Sequence, residues 1–463
     1  MTTHGPPRPT DFQSRYDTAR RLAAFEGMAE GAHRSKVRPL YFLVYLALAY
    51  VSIIGLNSLV DRTSSNFDQF ANVGSRQYLW LYVGAAFVAL VAFARFPGRM
   101  FRSFGVVLIA LLVWSAITIT ASAVPSTAIT ELAKQIAFLM GWAGMVVMAR
   151  DERELINTTK AVFILLISAD VLAVALVPSL AIHQGYDILE GNLAGSWRGL
   201  HEHKGKFGEL LAITSVLLYA EWRNSRKLWL IAGAAVCYLL TFAAGSKVAM
   251  AGVLIALSLF ELFLFIAVYA SGVRATMVLL PFAVAAALVM GVFVPIILEQ
   301  TVGDATFSGR TLVWDFLWKY SLSHPWLGSG FSSFFIGEDG PLYQQGGTQF
   351  LQHIGNAHNT FYDMLVAIGW PGLILAVATF FVLPITQNFR RMKDEPNVRV
   401  WIAGILFLLI NGCTAVVMFQ PQRTGGLMVI LSYFALRHFG QRGRSEARAG
   451  ADASEIYKVS AER

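Results

Sequence analysis

The chain has 463 residues, of which 56% are hydrophobic and 14% charged, with a mean hydropathy of +0.54 and a formal charge of +8. That balance excludes a soluble globular enzyme. The charge points to topology and to anionic lipid headgroups rather than to nucleic acid.

Residues 1–38 are polar and basic and read as a flexible cytoplasmic tail. From there apolar stretches recur, each long enough to cross ~30 Å of hydrocarbon at 1.5 Å per residue. About twelve are predicted, centred near Ala49, Ala86, Leu111, Phe138, Ser168, Thr214, Val236, Ala256, Ala285, Ile374, Leu408 and Val429. The fold class expected is therefore an all-α polytopic membrane protein, with a membrane domain over 39–440 and a second flexible cytoplasmic tail over 441–463. No short leader with a small-residue cleavage site precedes the first stretch, so it reads as an uncleaved signal anchor. Placing both termini inside leaves 26 of the 37 Lys and Arg in the cytoplasm. The inverse orientation would put them outside, against the positive-inside rule. Cys237 and Cys413 both fall within predicted spans and read as buried packing residues.

Two outer loops break the pattern. The first, SWRGLHEHKGKFGELL, gathers Arg198, His201, His203, Lys204 and Lys206 on the side where positive charge is sparse. The second, over 300–357 between the ninth and tenth spans, carries SGRTLVWDFLWKYSLSHPWLGSGFSSF and ends in HNTFYDMLVAIG. A loop that long is uncommon without a function. Within it Ser308 is a suitable N-cap. Leu312, Val313, Phe316, Leu317 and Tyr320 then recur at helical spacing, with Trp314 and Trp318 one turn apart, predicting a short helix lying on the outer membrane surface.

Together WRGLHEHKGKFG, SGRTLVWDFLWKYSLSHPWLGSGFSSF and AHNTFYDMLVAIGWPGL resemble, in order, spacing and topology, the O-antigen ligase and polymerase superfamily. The resemblance covers roughly residues 190–375, and the first motif is most similar to the exopolysaccharide polymerase branch. That branch often has HKN where this chain has His203, Lys204 and Gly205, a departure at the third position.

The resemblance implies a bacterial inner-membrane glycosyltransferase acting on undecaprenyl-diphosphate-linked oligosaccharides. A glycan would pass from that carrier to an acceptor hydroxyl, with inversion at the anomeric carbon and no metal or other cofactor. Arg198 and Arg310 match the family's arginine positions. A guanidinium fork suits diphosphate oxygens, and a membrane headgroup contact or a helix cap is the structural alternative. His358 matches the general base, its alternative being a role in starting the tenth helix with Asn359. Lys204, His203, His201, Lys206, Asn359 and Trp314 are the candidate substrate contacts. Besides membrane lipids, the partners implied are a chain-length regulator and a flippase. His201 and His203 bracket Glu202 without the spacing of a zinc motif.

Charges inside spans need an explanation. Glu131 and Lys134 are expected to pair, whereas Asp170, Glu209 and Glu261 read as lone acids, with Glu209 placed to orient Lys206 or an arginine. Lys247 and Arg423 fit either phosphate contact or snorkelling at the interface. A ligase acting on lipid A core is the alternative enzyme. A transporter of lipid-linked oligosaccharide is the alternative of another class, although no two-halved repeat is evident. The absence of GxxxxGK[ST] and of a DxD pair argues against a nucleotide-driven reaction.

Overall fold

In a computed structural model the described residues are 37–55, 78–186, 193–269, 310–336, 339–345 and 355–441. They are helical, with one isolated β-bridge between Ile182 and Trp197. We number the longer helices α1 (Pro39–Ile53), α2 (Leu79–Arg95), α3 (Pro97–Ser103), α4 (Val106–Thr118), α5 (Pro125–Met148), α6 (Glu152–Leu176) and α7 (Lys204–Ser225). They continue with α8 (Leu228–Ala243), α9 (Lys247–Tyr269), α10 (Arg310–Ser323), α11 (Thr360–Val377), α12 (Pro396–Asn411) and α13 (424–441). Eleven of the twelve predicted span centres lie in these helices, and the twelfth, Ala285, lies outside the described residues. By length and composition five helices can cross a membrane, and six if α3 and α4, bent by 73°, count as one broken span. Helices α1, α8 and α12 are apolar but shorter.

The helix ends sort into two sets. At one end Glu154, fully buried, accepts from the Arg38 side chain and from the Arg150 N–H. Glu221 there pairs with Lys160 and Arg153, and Arg399 donates to the Lys393 carbonyl. Glu261 is not a lone acid, because Arg223 grips it through two hydrogen bonds of 2.6 and 2.9 Å, joined by the Tyr219 hydroxyl. Glu131 and Lys134 do pair, at 2.7 Å.

At the other end the motif loops meet. Helix α11 breaks at Gly369 (φ 69°, ψ −176°), with Pro371 starting its second half. A broken helix frees backbone groups that apolar surroundings cannot satisfy. The HPWLGSG segment satisfies them: the Trp370 N–H donates to the Pro325 carbonyl at 2.9 Å, and the Val366 carbonyl accepts from the Ser329 N–H at 2.8 Å. Trp114 Nε1 of α4 donates to the Ile368 carbonyl. A side chain at Gly369 would also meet the Trp326 carbonyl at 2.0 Å, so glycine is required twice over.

Helix α10 forms as expected, but its buried face is set by tertiary packing. Val313, Trp314, Leu317 and Tyr320 are buried against Phe334, Leu342, Ala357 and Val366, while Leu312 turns outward and is 59% exposed. The helix thus packs on the first half of α11 and leaves Leu312, Trp318 and Leu322 as its apolar outer side. The cap read at Ser308 lies outside the described residues.

Candidate functional site

His358 sits one residue before a tightly built helix start. Asn359 caps α11, its side-chain oxygen accepting from the Phe361 and Tyr362 N–H groups at 2.9 and 3.2 Å. Its amide nitrogen donates to the Cys413 carbonyl at 2.9 Å. On the other side of His358, Ala357 donates its N–H to Asp363 and accepts from Trp314 Nε1 at 2.9 Å. Trp314 in turn stacks on Tyr362 at 6.0 Å between centroids. Between these two anchors His358 adopts the left-handed conformation (φ 49°), which histidine tolerates better than most residues. Its own N–H donates to the Asn356 side chain at 2.9 Å.

The loop 412–423, between α12 and α13, runs beneath this turn. The Thr360 N–H and hydroxyl bond to the Gly412 and Ala415 carbonyls, and the Val417 N–H donates back to the Thr360 oxygen. From α10, Arg310 Nη1 donates to the Thr414 carbonyl at 3.2 Å. Glu209 of α7 clamps both ends of the loop. It accepts from Asn411 Nδ2 at 2.8 Å and lies against the Gly425 backbone. Side chains at Gly425 and Gly426 would meet Glu209 Oε1 at 2.6 Å and the Gln420 carbonyl at 2.0 Å, which accounts for the paired glycines of QRTGG. Arg423 ends the loop, half-buried, and among the described residues no carboxylate oxygen lies within 4.0 Å of its guanidinium.

The electrostatics follow from this arrangement. Burial, then the Arg310 and Arg423 charges, push His358 down to about 4, so the imidazole is neutral near pH 7. Burial and Arg423 likewise hold Arg310 below the ordinary guanidinium range. A neutral imidazole beside two guanidinium groups can accept a proton from a hydroxyl, while the cations favour an anion next to it.

The first motif loop forms a second cluster, over α6 and α8. Asp170 is not a lone acid: its carboxylate accepts from the Leu200 N–H at 2.8 Å and meets His201 Nε2 at 3.2 Å, both side chains being fully buried. Gly199 (φ 60°) passes directly over that carboxylate. Arg198 is 3% exposed and donates from Nε to the Leu180 carbonyl at 2.8 Å. His203 caps α7, accepting the Gly205 N–H at 2.9 Å. Lys204 Nζ donates to the Gly245 carbonyl, and Lys206 pairs with Glu202, not with Glu209.

The predicted site residues therefore fall into two groups joined by the first turns of α7. Arg310, His358, Asn359 and Trp314 share one group, in which Trp314 and Asn359 hold the His358 turn. Arg198, His201, His203, Lys204 and Lys206 make the other. The charges acting on His358 are Arg310 and Arg423, not Arg198. Sequence reasoning missed the loop 412–423 because its contribution is a row of backbone carbonyls. The QRTGG glycines are the one signal that pointed to it. Cys413 lies in this loop rather than inside a span, and both cysteines are free and buried. Among the described residues no group of three His, Cys, Asp or Glu side chains is placed to hold a metal ion.

A multi-pass helical membrane protein with a cationic site and a neutral histidine at one end of its bundle is the class these features define. Residues 230–377, from α8 to the end of α11 and including Arg310 and His358, match the family model described as O-antigen ligase, which supports the O-antigen ligase and polymerase superfamily. No curated protein matches the chain. Members of that family are glycosyltransferase-like ligases and polymerases acting on lipid-linked glycans.

Proposed function

We propose that the protein is a polysaccharide polymerase that joins undecaprenyl-diphosphate-linked oligosaccharide repeats on the periplasmic face of the bacterial inner membrane. The observation that carries this reading is the half-buried, neutral His358 held beside the Arg310 and Arg423 guanidinium groups. The donor's diphosphate would lie against the guanidinium of Arg310, whose planar fork can take two oxygens at once. Arg198 and Lys204 would serve the sugar-proximal side or the acceptor. His358 would remove the acceptor hydroxyl's proton as its oxygen attacks the anomeric carbon. The bond from that carbon to the diphosphate oxygen breaks, the lipid diphosphate leaves with the electron pair, and the new glycosidic bond has the opposite configuration. Charge on the departing diphosphate is met by guanidinium groups, so no metal is required by this route.

Polymerase rather than ligase is favoured by the likeness of WRGLHEHKGKFG to the exopolysaccharide branch. Purified protein given only its lipid-linked repeat, in the presence of chelator, should yield a ladder with rungs one repeat apart. The Arg310→Lys variant, which keeps charge but loses the fork, should yield at most a few per cent of that product. Silence until lipid A core is added, followed by a single transfer per acceptor, would make it a ligase. Movement of intact lipid-linked sugar across a liposome with no new glycosidic bond would make it a transporter.

A further inference from the structure

We propose that Arg423 is a second guanidinium on the diphosphate of the lipid-linked donor, sharing that group with Arg310 and set beside His358 by the loop 412–423. The proposal rests on the glycan-transfer reading of the site and names a residue outside the matched segment 230–377. Its geometric basis is the closure of the loop. One carboxylate, Glu209, accepts from Asn411 before the loop and packs against Gly425 after it. In between, the Gly412, Cys413, Thr414 and Ala415 carbonyls are all taken by Thr360, Asn359 and Arg310. Arg423, two residues from the Gly425 contact, is thereby held near enough to His358 and Arg310 for its charge to act on both. Among the described residues it has no side-chain hydrogen bond or ion pair of its own.

The surrounding charges favour an anion. The groups acting on His358 are Arg310 from α10 and Arg423 from the loop, both positive. Asp363 of α11 is buried with its carboxylate on the Ala357 N–H, and Glu209 of α7 accepts from Asn411 while its other oxygen has no hydrogen-bond partner; the Arg423 charge acts on both carboxylates through space. Two guanidinium groups close enough to depress a shared histidine repel one another until an anion lies between them. A diphosphate carries the charge and the oxygens to bridge both. The same bridging would relieve the field on His358, so the base strengthens when the donor is in place. The alternative is that Arg423 only balances the buried charge of Glu209, which Arg423 and Lys206 both reach through space.

The test uses full-length protein in detergent, with undecaprenyl diphosphate and undecaprenyl monophosphate as binding probes and the lipid-linked repeat as substrate. Wild type should prefer the diphosphate. Arg423→Gln should weaken diphosphate binding by about 10- to 100-fold while changing monophosphate binding little, the span expected for one charge-assisted contact. It should also move the acid limb of kcat/KM to higher pH, because one of the two charges depressing His358 is gone. Arg423→Lys should keep the acid limb and recover binding in part. If removal of the charge merely unbalances Glu209, the double variant Glu209→Gln/Arg423→Gln should restore diphosphate binding, and that restoration would overturn the proposal. Arg423→Gln with wild-type binding and an unmoved acid limb would overturn it too. Should Arg310→Gln lose diphosphate binding while Arg423→Gln does not, this proposal fails and the donor site stands. If neither variant alters diphosphate binding, the donor-site reading itself fails.

Discussion

His358 combines two features that are each uncommon: a left-handed backbone and a side chain pushed down to about 4. The first allows a clean test of the second. Asparagine also tolerates the left-handed region but cannot act as a base, so His358→Asn should keep the fold and lower turnover by roughly a hundredfold to ten-thousandfold. The pH dependence has a definite sign. A base must be unprotonated, so activity is present above its pKa and lost as pH falls through it. In free enzyme that loss, read from kcat/KM, should come near pH 4. In the donor complex, read from kcat, an anion between the guanidinium groups raises the histidine's pKa, so the loss should begin at higher pH. Coincident acid limbs for the two parameters would count against a base lying beside the diphosphate. Arg310 and His358 are legible in the sequence because SGRTLVW and HNTFYD resemble the motifs of a known family. Arg423 is equally visible there, but the groups its charge acts on, Arg310 and Glu209, are 113 and 214 positions away in the chain, and nothing local assigns them.

At the scale of elements, the HPWLGSG and AIGWPG motifs turn out to be two halves of one device, the break in α11 and the segment that satisfies it. Periodicity alone predicts a continuous span there, because Gly369 is one residue among many apolar ones; only the φ of 69° and the Trp326 carbonyl reveal the interruption. The break matters for the site because it ties the turn carrying His358 to α10 and to α4 through Val366, Ile368 and Trp370. Gly369→Ala should therefore destabilise the protein by at least about 1–3 kcal/mol from backbone strain alone, with a further cost from the carbonyl contact. A lowered melting temperature in detergent would register it. Gly355→Ala, where an added Cβ meets nothing within 4 Å, should leave the melting temperature unchanged. The exposed face of α10 illustrates the same limit of sequence reading. Helical spacing found the helix, but which of Leu312 and Trp314 faces inward depends on Ala357 offering its carbonyl to the indole.

At the scale of the whole molecule, the ordering of helix ends is the strongest link between sequence and function. Arginines that hydropathy and the positive-inside rule place together, among them Arg38, Arg150, Arg153, Arg223, Arg391 and Arg399, do gather at one end, where buried carboxylates fix several of them. The motif residues gather at the opposite end. A cluster of positive charge at the basic end resists translocation, so that end should face the cytoplasm and the Arg310–His358 site the periplasm. Cysteines introduced at Ala194 and Asp339, both exposed at the motif end, should react with a membrane-impermeant maleimide in cells whose outer membrane alone is permeabilised. A cysteine at Asp394, exposed at the basic end, should react only after the inner membrane is opened. Cys237 and Cys413 are buried and should stay silent in both conditions, giving the background. The reverse pattern would put the site in the cytoplasm, where soluble nucleotide sugars are the accessible donors. A lipid-diphosphate donor delivered by a flippase would then lose its rationale, however well the two guanidinium groups fit its phosphates.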